Sequence, residues 1–72
     1  MGEVFFEVRE SQEGGYEANA LGASIYTQGD SLEEVRANIL EAVACHFDEP
    51  ERPKWVRIIY LREEVLPIAN SA

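Results

Sequence analysis

Apolar and polar positions alternate with period two from Val4 to Arg9. Val4, Phe6 and Val8 share one side; Phe5, Glu7 and Arg9 share the other, the pattern of a strand with one buried face. Ser11 to Gly15, SQEGG, interrupts it with turn chemistry, because Gly14 and Gly15 take positive φ without steric cost. Alternation resumes over Tyr16 to Ala20, with Tyr16, Ala18 and Ala20 opposed to Glu17 and Asn19. The small alanines on the inward side leave room for a helix. Leu21-Gly22-Ala23 reads as a second turn, and Ser24 to Gln28 as a third strand with Ile25 and Thr27 inward and Ser24, Tyr26 and Gln28 outward. Connections this short join antiparallel neighbours.

The period then changes. Leu32, Val35, Ile39, Ala42, Val43, His46 and Phe47 form a helical stripe, with Glu34, Arg36, Asn38, Glu41 and Asp48 mostly off it. Asp30 with Glu33, or Ser31 with Glu34, builds a capping box. Asp30 is the expected cap, placing Glu33 and Glu34 in the first turn, where the helix dipole favours negative charge. Pro50 and Pro53 stop the helix near Phe47 or Asp48. Lys54 to Arg62 is the longest strand, with Val56, Ile58 and Tyr60 on one face and Trp55, Arg57, Ile59 and Leu61 on the other. Both faces are largely apolar, which predicts a strand covered on both sides. Residues 65–72 are expected to be a flexible tail.

The order β-β-β-α-β predicts a single α+β domain, residues 1–72, with an antiparallel sheet and one helix packed on one of its faces. Nothing in the chain is left to cover the other face. Phe5, Tyr26, Trp55, Ile59 and Leu61 fall there and are the expected oligomer interface, since the largest apolar patch on a monomer is about 300–600 Å².

Composition strengthens that expectation. The chain has 72 residues, 46% of them hydrophobic. A domain of this size buries only roughly 60% of the surface its unfolded chain exposes. Its one cysteine excludes an internal disulfide, and one His beside one Cys is too little for a structural metal site. Association is the remaining source of stability, and a homo-oligomer, dimer or tetramer, is expected. Fourteen acidic against six basic side chains give a net charge of -8. That charge serves solubility first, repels phosphate backbones and attracts a basic protein. No direct nucleic-acid binding is therefore expected. The apolar run in MGEVFFEVRE is too short for a signal peptide or a membrane span, so no membrane contact and a cytoplasmic location are expected, with Cys45 a free thiol.

Candidate chemistry is sparse. A catalytic His46 needs a carboxylate or thiol in reach, and Cys45 projects about 100° away round the helix. The expected roles are a structural histidine near the helix C-terminus and a buried, inert thiol. The alternative is a small hydrolase using His46 with Cys45 or a nearby carboxylate. Glu7, Asp30, Glu33 and Glu34 would make a two-metal site only if they converged; Glu33 and Glu34 are explained by the helix start, and Glu7 faces away from the helix. Gly14-Gly15 lacks the following Lys and Ser/Thr of a phosphate loop. No metal, cofactor or catalytic residue is expected. Arg52, Lys54, Arg57 and Arg62 form a modest basic patch near the last strand, suited to pairing with carboxylates.

From about Phe5 to Val43 the chain resembles the HicB-like antitoxin family. The pieces that carry the resemblance are Glu13-Gly14-Gly15-Tyr16, Ala18 to Gly22, Thr27 with Gly29-Asp30, and Ser31 to Glu34, in that order; the closing strand fits as well. The resemblance implies a partial RNase H-like fold without the nuclease's catalytic residues. It also implies a non-catalytic module that self-associates and neutralises a small basic RNase toxin. Many members carry a C-terminal DNA-binding domain. This chain stops soon after its last strand and looks like the short stand-alone subtype.

Overall fold

In the computed structural model, residues 2–69 are described. Five principal elements follow one another: strands β1 (Glu3–Glu10), β2 (Tyr16–Leu21) and β3 (Tyr26–Gly29), helix α1 (Leu32–His46) and strand β4 (Trp55–Leu61). A single 3-10 turn, Glu49–Glu51, precedes β4. The class is α+β, as expected, but the sheet is mixed. Its order is β3-β2-β1-β4, with β1·β2 and β2·β3 antiparallel and β1·β4 parallel.

The antiparallel expectation fails at β4 for a simple reason. Short turns reverse the chain at each step of the β1-β2-β3 meander. The 15 residues of α1 carry it back about 22 Å at 1.5 Å per residue. The next strand therefore starts at the end of the sheet where β3 started, and it runs parallel to β3 and β1. The free place beside β1 receives it.

Both turns use the glycines foreseen. Gly14 and Gly15 adopt φ of 100° and 76°, and the loop closes by hydrogen bonds from Ser11 N to Gly15 O (2.9 Å) and from Gly14 N to Ser11 O (3.1 Å). Gly29 is needed for another reason. A Cβ there would lie 2.6 Å from the amide nitrogen of Val35, so the first turn of α1 rests directly on the backbone of β3.

The helix begins one residue later than expected. Ser31 is the N-cap, and its hydroxyl accepts from Glu34 N at 3.1 Å. The Glu34 carboxylate returns to accept from Asp30 N at 2.6 Å, so two otherwise unpaired donors are satisfied together. The core is the line Val35, Ile39 and Val43 packed with Val4, Phe6, Val8, Ala18 and Ile25, which are the inward positions of the alternating pattern.

α1 does not sit centrally over the sheet. It packs on β3 and β2, and Asn38 Nδ2 donates to Gln28 O at 2.7 Å. β4 is consequently an edge strand whose helix-side residues Val56 and Ile58 are half-buried and whose Tyr60 is exposed. The expectation that β4 is covered on both faces is overturned. Beyond it, residues 62–69 are exposed and without regular structure; residues 70–72 of the expected tail lie outside the described residues. The molecule measures 63 × 22 × 17 Å with a radius of gyration of 15.6 Å, against about 11 Å for a compact chain of this length.

Candidate protein-interaction surface

The register of the sheet arranges its outer face, the one opposite α1, in rows. Glu3 lies beside Trp55; Leu21, Phe5 and Arg57 form the next row; Tyr26, Asn19, Glu7 and Ile59 follow; then Gln28, Glu17, Arg9 and Leu61. Four of the five residues singled out in the sequence, Phe5, Trp55, Ile59 and Leu61, cluster on β1 and β4 and are exposed. Tyr26 is exposed too, yet it stands two strands away, separated from Ile59 by Asn19 and Glu7. Parity alone put all five on one face. Only the strand order separates Tyr26 from the rest.

The sequence reading missed Leu21. The turn expected at Leu21-Gly22-Ala23 starts later, because β2 runs one residue further and pairs Leu21 with Phe5. The signal was present, since Leu21 continues the outward parity of Glu17 and Asn19. The surface is also less uniformly apolar than expected. Arg57 lies across Phe5, its guanidinium carbon 6.0 Å from the ring centroid, and its Nε donates to Glu3 Oε1 at 2.7 Å. An exposed ion pair of this kind adds little stability. Its effect here is to place a polar crossing between Trp55 and Ile59.

The helix side of β4 is open as well. Tyr60 is reached by Arg36, whose Nη1 donates to the phenol oxygen at 3.5 Å. Leu32, Tyr16, Val8 and Tyr60 line a shallow groove beneath that contact. Trp55, 70% exposed, marks the start of the strand, which is pinned by Lys54 N and Trp55 N donating to Gly2 O. β4 thus presents apolar side chains on both faces, and among the described residues no strand pairs with its outer edge.

The residues considered for chemistry lie elsewhere. Cys45 is exposed, not buried as expected, and His46 is exposed rather than set in the apolar stripe. The buried line recurs every four residues through Val35, Ile39 and Val43, and half-buried Phe47 continues it. His46 is displaced about 100° from that line. Its ring stands edge-on to Phe47, centroids 4.9 Å apart, beside a cleft that Glu3, Phe5 and Leu21 also line. Among the described residues no three His, Cys, Asp or Glu side chains converge on a point where a metal ion would sit, and Glu33 and Glu34 occupy the first turn of α1. Of the described helices none is long and apolar enough to cross a membrane.

No protein-family model and no solved structure matches the chain. Two curated proteins do. One, a UPF0150 protein of Archaeoglobus fulgidus, is 55% identical over 51 residues, 71% of this chain and 76% of its own length. Another, a UPF0150 protein of Thermotoga maritima, is 39% identical over 66 residues, 92% of this chain and 93% of its own length. With 39% identity over nearly the whole of this chain and of the Thermotoga maritima protein, the chain belongs to the UPF0150 family.

Proposed function

We propose that this protein is a non-catalytic binding module of the HicB-like type. It associates with itself through the β4 half of the sheet and neutralises a small basic RNase in the cytoplasm. The observation that carries the reading is β4: an edge strand, apolar on both faces, in a domain too small to be indifferent to covering it. The net charge of -8 suits the second half of the reading, because an acidic surface steers and holds a cationic protein. The helix start at Ser31 and the glycines at 14, 15 and 29 are the same positions that carry the HicB resemblance, and each has a backbone role in this fold. A partial RNase H-like architecture is the family relation that this arrangement of strands and helix agrees with.

The test is to look beside this chain's gene for one that encodes a small basic protein and to co-express the two; a neighbourhood without such a gene would count against the toxin half of the reading. The expected result is a stable complex on a sizing column and RNA left intact. RNA cleavage that proceeds equally with and without this chain would overturn the toxin half of the reading. Sedimentation showing a monomer at high micromolar concentration would overturn the self-association half.

A further inference from the structure

The two edges of the sheet are not equivalent. The β3 edge is four residues long and is tied to the helix by Asn38 donating to Gln28 O. The β4 edge is seven residues, WVRIIYL, with no proline or glycine and no helix beside it. Natural sheets rarely leave such an edge unpaired, because its free N–H and C=O groups are a template for another strand.

The charges around that edge say which strand fits. Arg52 and Lys54 precede β4, and Arg62, Glu63 and Glu64 follow it, so one end is basic and the other net acidic. Laid parallel, two such edges bring like net charge to like. Laid antiparallel, the basic end meets the net acidic one. We infer that the β4 edge pairs antiparallel with the β4 edge of a second copy, about a two-fold axis at Ile58, joining two four-stranded sheets into one of eight. The inference rests on the self-association proposed above and specifies its geometry.

The register follows from full overlap of the seven residues. Ile58 meets Ile58, Val56 meets Tyr60, and Trp55 meets Leu61 across the axis. The exposed indole therefore gains an aliphatic partner on the outer face, and the thinly covered helix-side residues gain neighbours. Arg52 falls opposite Glu64. Arg62 falls opposite Lys54, with Glu63 and Glu64 next to it. The apolar cross-strand pairs Trp55–Leu61, Val56–Tyr60 and Ile58–Ile58 outweigh the exposed terminal charges, and Arg57 meets Ile59 between them. Outer-face stacking of two sheets, the other way to cover Trp55, leaves the β4 edge bare and keeps Ile58 of the two copies apart, since Ile58 is on the helix side.

The test uses Ile58→Cys in a Cys45→Ala background, under mild oxidation. Opposed residues of an antiparallel pair have Cα atoms about 4.5–5.5 Å apart, within disulfide reach, so conversion to a covalent dimer is expected. The same change at Ile59 puts the two cysteines on a diagonal of about 8 Å, outside that reach, and no covalent dimer is expected. Because Ile58 also touches the core, hydrogen exchange of the unaltered protein provides a second measurement. All amides of residues 55–61 should be protected in the edge-paired dimer, where a bare edge would leave alternate ones in fast exchange. A dimer by sedimentation with no Ile58 cross-link and alternating protection would overturn this inference and leave self-association standing. A monomer would overturn both.

Discussion

Gly29 shows why one residue type is required where neither a turn nor a positive φ demands it. The amide of Val35 occupies the space of the missing Cβ, and the backbone oxygen of Gly29 in turn fills the space over Gly15. Gly29→Ala must push α1 off the sheet. It should lower stability by about 1–3 kcal/mol, the range for overpacking a tight contact, as read by urea denaturation. The helix cap offers a second residue-scale test. Ser31→Ala removes the hydroxyl that accepts from Glu34 N and should cost about 1 kcal/mol. Asp30→Ala should cost less in the same thermal melts, because Asp30 contributes its backbone N–H to Glu34 and not its side chain. The sequence offered both caps, and charge favoured Asp30. The backbone of Ser31, at φ -140° and ψ 166°, decides for the residue immediately before the first helical φ.

Helix and strand show how two elements that each carry an apolar face acquire different roles. α1 buries Val35, Ile39 and Val43 fully, whereas β4 buries none of its residues to that degree. Val35→Ala should therefore destabilise the monomer by about 2 kcal/mol or more, while Val56→Ala should cost about 1 kcal/mol or less, by chemical denaturation at a concentration below self-association. Equal costs would mean that the helix covers β4 after all. The periodicity of the sequence located both elements correctly, and the inward strand positions Val4, Phe6, Val8 and Ala18 are all buried. It could not say that the helix leans toward β3. That tilt follows from Gly29 and Asn38, which hold α1 against one edge and leave the other uncovered.

At the scale of the whole molecule, charge and shape pull in different directions. All six basic side chains lie on β1, on β4, in the segments flanking β4, or on the helix at Arg36, which reaches Tyr60 on β4; β2 and β3 carry none. The net charge nevertheless makes two copies repel at a distance, and the exposed ion pairs that the proposed dimer would form at the ends of β4 would offset little of it. Raising salt shortens the reach of that repulsion, to about 3 Å at 1 M. Self-association measured by sedimentation should therefore strengthen with salt. Capture of a basic protein should weaken over the same range, because there the long-range field is attractive. Two salt dependences of the same sign would show that one of the two contacts is not governed by net charge. The extended shape adds a further apolar element, since Val65 and Ile68 are 86% and 95% exposed on the segment that leaves β4.

The sequence by itself determined the elements, their inward faces, the turn glycines and the helix start to within one residue. Each of these depends on interactions within a few residues, where local geometry is decisive. It left undecided the direction and neighbour of β4, the lean of α1, the separation of Tyr26 from the other outer-face residues, and the exposure of Cys45 and His46. Those are settled by where distant segments meet. A helix that carries the chain back across the sheet turns the last strand parallel to the first. A helix held close at Gly29 leaves that strand exposed, because one helix that packs on β3 and β2 does not reach across to β4.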